Sequence, residues 1–74
     1  MDIRRLVGRN VRRLRKAKGL TQEQFAEVSG LAQQYVSGLE RGQRNPTLLT
    51  LHEISQALGV GALELLDPDA EDKA

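Results

Sequence analysis

The 74-residue chain predicts an all-α fold. Apolar residues recur at three- and four-residue steps along most of its length, the spacing of one face of a helix. Glycines at 19, 30, 42 and 59 close successive segments of that pattern, as helix-stopping residues do. Threonines at 21 and 47 open two of the segments, as N-caps do. No segment survives as a strand candidate.

The first helix is expected over 3–18. Ile3, Leu6, Val7, Val11, Leu14 and Ala17 form its inward stripe. At about 100° per residue, Arg5, Arg9, Arg12, Arg13 and Lys16 fall on the other side, while Arg15 sits at the edge of the stripe beside Val11. Thr21-Gln22-Glu23-Gln24 then matches a capping box, in which the Thr hydroxyl and the Gln24 amide each satisfy a backbone N–H. Phe25, Ala26 and Val28 follow, and Gly30 breaks this second helix. The third runs from Ala32 or Gln33 to Arg41, with Val36 and Leu39 inward and Gly42 as its stop. Gln43-Arg44-Asn45-Pro46 is a polar loop. Thr47 caps a fourth helix whose inward residues are Leu48, Leu51, Ile54, Ser55 and Leu58. Residues 61–66 form a last short helix, stopped by Asp67-Pro68. One domain over 1–66 and a short acidic tail over 67–74 are the expected organisation.

Composition narrows the function. A chain this short hides only about 60% of the surface its unfolded form exposes, so its apolar residues are committed to one small core. With no cysteine there is no disulfide framework and no thiolate zinc site. No apolar run reaches transmembrane length, and the basic N-terminal stretch lacks the apolar centre of a signal peptide. A cytoplasmic protein is expected. The net charge of +1 conceals an asymmetry. Residues 1–18 hold eight of the eleven basic side chains and one acid, Asp2, whereas residues 53–74 hold six acids against Lys73. One side suits a polyanion and the other suits solvent, although a merely solvated basic helix would give the same count.

Residues 21–42 carry the chemistry. They spell two short helices joined at Ser29-Gly30-Leu31. Helices that cross near a right angle need a small residue where they approach, which Ala26 supplies, and Gly30 adopts a turn most easily. The second of the pair opens with Gln33 and Gln34, and Ser37 follows one turn later on the same face. A glutamine amide donates to adenine N7 and accepts from adenine N6, a bidentate match in the DNA major groove. Arginines and backbone amides beside such a helix suit phosphates. The plainer alternative is that both glutamines are ordinary helix surface.

With these residues in view, the chain resembles the lambda-repressor/Cro-type helix-turn-helix family, also called XRE. The carriers are Val7-Gly8, Leu14-Arg15, Gly19-Leu20-Thr21-Gln22, Phe25-Ala26, Gly30, Gln33, Tyr35-Val36-Ser37, Leu39-Glu40-Arg41-Gly42, Asn45-Pro46, Leu48, Leu51, Ile54 and Leu58-Gly59-Val60. The stretch 34–51 is especially similar to small stand-alone members, including controller proteins of restriction–modification systems. The resemblance implies a compact five-helix lambda-repressor-like domain that binds double-stranded DNA as a dimer. It implies that Gln33, Gln34 and Ser37 contact bases, and that Gln22, Arg41, Gln43, Arg44 and Asn45 hold phosphates, with Gln22 also bracing Gln33. It further implies a buried salt bridge between Arg15 and Glu40, which makes both structural; a phosphate contact is the alternative for Arg15. Arg9, Arg12 and Arg13 are further phosphate candidates, against a solvated face. Tyr35 is read as a half-buried plate.

Three residues depart from the family pattern. Ala32 stands where a capping Ser, Thr or Asp is usual, Gly38 offers no side chain where a long polar one is common, and Ser55 replaces an alanine and is expected to bond back to its own helix.

Two recognition helices are needed to read two half-sites about one DNA turn apart. Leu49 lies off the inward stripe, and Leu63, Leu65 and Leu66 exceed what one small core needs, so Leu49, Leu63 and Leu66 are expected to help form a symmetric contact, with packing inside the chain as the alternative. A sequence-specific transcriptional regulator acting as a dimer on a palindromic operator is the expected function. An antitoxin-type interaction module that also controls its own operon is the alternative, although the short polar segment 67–74 suits it poorly. An enzyme is not expected: His52 is the lone histidine and has no constellation around it, and no phosphate-cradling loop, carboxylate pair or metal-ligand spacing is present. No cofactor, metal or small-molecule ligand is expected, which leaves protein concentration and operator arrangement as the controls.

Overall fold

The computed structural model describes residues 1–68, in which five helices follow one another: α1 Ile3–Ala17, α2 Gln22–Ser29, α3 Gln33–Glu40, α4 Leu48–Leu58 and α5 Ala62–Leu65. Most boundaries have a local cause. Asp2 starts α1 by accepting the Arg4 amide at 3.0 Å. At α2 the Thr21 hydroxyl accepts from the Gln24 amide at 3.0 Å while the Gln24 side chain accepts from the Thr21 amide at 2.9 Å, completing the expected capping box. Thr47 caps α4 through the Thr50 amide at 3.1 Å. Ala32 does nothing comparable, and α3 begins without a side-chain cap. Gly42 ends α3 at φ 76°, where the Gln43 amide reaches back to the Gly38 carbonyl at 2.9 Å.

All five helices meet in one core. Val7 and Val11 of α1, Phe25 of α2, Val36 and Leu39 of α3, Ile54 and Leu58 of α4, and Leu65 of α5 are buried together. Each such side chain contributes about 1.5–3 kcal/mol of apolar burial. α1 approaches α3 most closely at Gly8, where a Cβ would overlap the Leu39 carbonyl oxygen. This contact fixes how α3 is presented.

The inward stripes are shorter than the sequence predicts. Leu48 was expected inside but is 85% exposed, and Ile3 and Ala17 are exposed as well. All three lie in the end turns of their helices, which overhang a core only a few side chains wide. Leu65, grouped in the sequence with surplus apolar residues, is fully buried. Arg13, expected on the outer face of α1, is half-buried. Ser55 behaves as expected, donating to the His52 carbonyl at 2.7 Å.

Asn10 lies on the inward side of α1 and is buried. Its Nδ2 donates to the Leu65 carbonyl at 2.9 Å and to the Asp67 carbonyl at 3.0 Å. One amide therefore clamps the end of α5 onto α1 and holds Asp67, which the sequence assigned to the tail. The remainder of that expected tail, 69–74, lies outside the described residues.

Candidate nucleic-acid interface

The turn between α2 and α3 is set by Gly30, in the left-handed region at φ 78°, with its amide bonded to the Ala26 carbonyl at 3.0 Å. Ala26 is buried at the crossing. From this turn α3 leaves with Val36 and Leu39 anchored in the core and with Gln33 and Gln34 exposed on its first turn. Ser37 is half-buried one turn further on.

The far end of α3 is held by the expected ion pair. Arg15 Nε lies 2.6 Å from Glu40 Oε2 and Arg15 Nη2 lies 3.0 Å from Oε1, with side chains only 8% and 3% exposed. Arg15 Nη1 also donates to the Leu20 carbonyl at 2.8 Å. The hydrogen bonds to Glu40 push the Arg15 pKa up from an already high value, and burial opposes them. The charge is therefore constant over any working pH. Gln22 joins this group rather than Gln33: its Nε2 donates to Glu40 Oε1 at 3.1 Å. No hydrogen bond joins Gln22 and Gln33 among the described residues, so the expected brace is replaced by one that ties α2 to the end of α3. The carboxylate of Glu40 exerts the stronger pull on an amide donor.

The remaining polar residues sort into two groups. Arg41 donates to the Ser37 hydroxyl and, through Nε and Nη2 at 3.3 Å each, to Gln43 Oε1. Arg44 lies across α3 with its guanidinium carbon 5.4 Å from the centre of the Tyr35 ring. Tyr35 is the half-buried plate the sequence predicts, and its upper face is covered by Arg44. Asn45 is exposed in the same loop. Arg5 of α1 also comes to this end, its stem packed under Gly42 so closely that a Cβ there would lie 2.7 Å from Arg5 Cγ.

The sequence missed Asn10, the placement of Arg5 and the seating of Arg44. Asn10 had a signal, because it falls between Val7 and Leu14 on the apolar stripe. The other two depend on the path of the 41–46 loop, on which periodicity is silent.

Of the three leucines expected at a symmetric contact, Leu49 is 67% and Leu63 81% exposed, while Leu66 is half-buried against the core and lines a shallow cleft with Asn45 and Pro46. Among the described residues no His, Cys, Asp and Glu cluster could hold a metal ion. No described helix is long and apolar enough to cross a membrane.

A short helix, braced from behind by a bidentate ion pair and presenting two amides on its first turn, defines a DNA-binding regulator of the helix-turn-helix class. The chain belongs to the XRE-type helix-turn-helix family, whose model, described as Helix-turn-helix, matches residues 11–65. It is 59% identical over 71 residues to the uncharacterised HTH-type transcriptional regulator y4dJ of Sinorhizobium fredii, covering 96% of this chain and 92% of that one. Among solved structures it is similar to the restriction–modification controller protein C.AhdI from Aeromonas hydrophila, at 45% identity and a TM-score of 0.80, covering 84% of this chain and 94% of that chain. It is also similar to the controller protein C.Esp1396I, solved as a tetramer on its natural 35 base-pair operator, at 32% identity and a TM-score of 0.78, covering 90% of this chain and 99% of that chain. The family is one of transcription-regulator DNA-binding domains, not an enzyme family.

Proposed function

We propose that this chain regulates transcription in the cytoplasm by binding a palindromic operator as a symmetric dimer. The observation that carries this reading is the exposure of Gln33 and Gln34 at the start of a helix whose other side is locked into the core. In this reading both glutamines meet base edges in the major groove and Ser37 contacts a base one turn later. Gln22, Arg41, Gln43, Arg44 and Asn45 take the flanking phosphates. Leu49, Leu63 and Leu66 contribute to the dimer contact, supported by the exposure of the first two. A role as a restriction–modification controller is the narrower form of the proposal, supported by the similarity to C.AhdI and C.Esp1396I.

Selection of binding sites from a random duplex pool, followed by salt titration, tests it. A paired motif with half-sites about one helical turn apart should be enriched. Affinity should fall steeply with salt, because several phosphate contacts release counterions. Gln33→Ala should relax one base position, whereas Arg44→Ala should weaken all sequences alike and flatten the salt slope by about 1. Equal losses on selected and random DNA from both variants would contradict these roles.

A further inference from the structure

Gly38 is a glycine inside a helix of eight residues, a placement that disfavours the helix relative to alanine. Gly30 and Gly42 answer to positive φ, and Gly8 to the crossing of two backbones; neither reason applies to Gly38, whose φ is ordinary. What occupies its missing side chain is Arg44. A Cβ at Gly38 would lie 2.9 Å from Arg44 Nε, 3.3 Å from Cγ and 3.6 Å from Cδ. Gly38 follows Tyr35 by three residues and Gln34 by four, so on the helix surface it adjoins both. The Arg44 stem runs through this gap, and its guanidinium comes to rest 5.4 Å from the centre of the Tyr35 ring.

We infer that Gly38 is a positioning residue: the slot left by its absent side chain seats Arg44 against Tyr35, so that the guanidinium is already held on the α3 surface before DNA arrives. An arginine carries large rotamer freedom, and ordering it on binding costs affinity. The slot and the ring remove that freedom in the free protein. Any side chain at 38 forces the stem to move from the slot, at little cost to the fold, because the atoms it displaces belong to a flexible chain and not to the core. This inference rests on the proposed phosphate role of Arg44.

Gly38→Ala tests it in the intact chain, with the duplex selected by the wild type and a random duplex of equal length as probes. In the free protein, the ring-current displacement of the Arg44 side-chain proton resonances should be lost, while thermal stability holds or rises. Affinity for both duplexes should fall about two- to tenfold. In an Arg44→Ala background the same substitution should change affinity by less than about twofold, because its effect passes through Arg44. If the ring-current displacement persists in Gly38→Ala, or if the affinity loss is as large without Arg44, the positioning role is overturned. If the displacement is lost and both Gly38→Ala and Arg44→Ala bind like the wild type, seating by Gly38 stands and the phosphate role of Arg44 fails.

Discussion

The side chains that matter most to stability around α3 lie behind it rather than on its exposed first turn. Arg15 and Glu40 are a nearly dry bidentate pair with two further neighbours, Leu20 and Gln22. Removing one partner leaves an uncompensated buried charge, so Arg15→Ala or Glu40→Ala should each cost about 3–5 kcal/mol, read as a lower chemical-denaturation midpoint. Replacing both with apolar residues of similar size, as in the double variant Arg15→Met with Glu40→Leu, should cost much less, because nothing charged is then stranded. Acid does not test this pair through Arg15: its raised pKa means its contribution is complete below the ordinary arginine value and fades only as pH climbs through the folded one. Asp2 is the opposite case. Its carboxyl is held below the ordinary range, first by the side-chain bond from Arg4 and then by the Arg4 amide. Its contribution is therefore present above the ordinary carboxylate value and lost as pH falls through the lowered one. Asp2→Asn keeps a capping oxygen without the titration, so the difference between its melting temperature and that of the wild type should change only on the acid side of neutral. Arg15 and Glu40 were legible only by resemblance; spacing by itself put Arg15 no more than at the edge of a stripe. Gly38 was legible only as a gap in a pattern, because what fills it comes from a loop.

Helix boundaries were the most legible feature, since they depend on local chemistry: a threonine or aspartate whose oxygen meets a free amide, and a glycine that can turn left-handed. Burial was less legible toward the helix ends. Periodicity says which way Leu48 points relative to its neighbours, but not that nothing stands opposite it. The missing cap at Ala32 is the local weakness that can be repaired. Ala32 already has the extended conformation of a capping residue, at φ −68° and ψ 144°, and lacks only the oxygen. Ala32→Ser should therefore stabilise the fold by about 1 kcal/mol, measured by thermal or chemical denaturation. The hold on α5 is the converse. That four-residue helix is too short to persist alone, and it is kept by Leu65 in the core and by the Asn10 amide on the carbonyls of Leu65, its last residue, and of Asp67 just beyond it. Asn10→Ala should cost about 1–3 kcal/mol, and hydrogen exchange should show protection falling first at residues 62–67.

If the chain reads DNA as proposed, the exposed first turn of α3 works only in pairs. One recognition helix spans only a few base pairs, so discrimination and the steepness of the response to protein concentration both depend on self-association. The candidate contact residues differ in what they test. Leu66 packs partly against the core, so Leu66→Glu would confound dimer loss with unfolding. Leu63 is 81% exposed on a helix already held from its other side, and placing a charge there leaves the monomer core intact. Leu63→Glu should therefore leave the melting temperature of the dilute, monomeric chain unchanged while weakening dimerisation at least tenfold by sedimentation equilibrium, since two copies of the charge meet across a twofold axis. On a selected two-half-site duplex it should lower affinity strongly, and on a single half-site it should change affinity little. An undiminished dimer would move the contact away from α5 and leave Leu49 of α4 as the residue to test next.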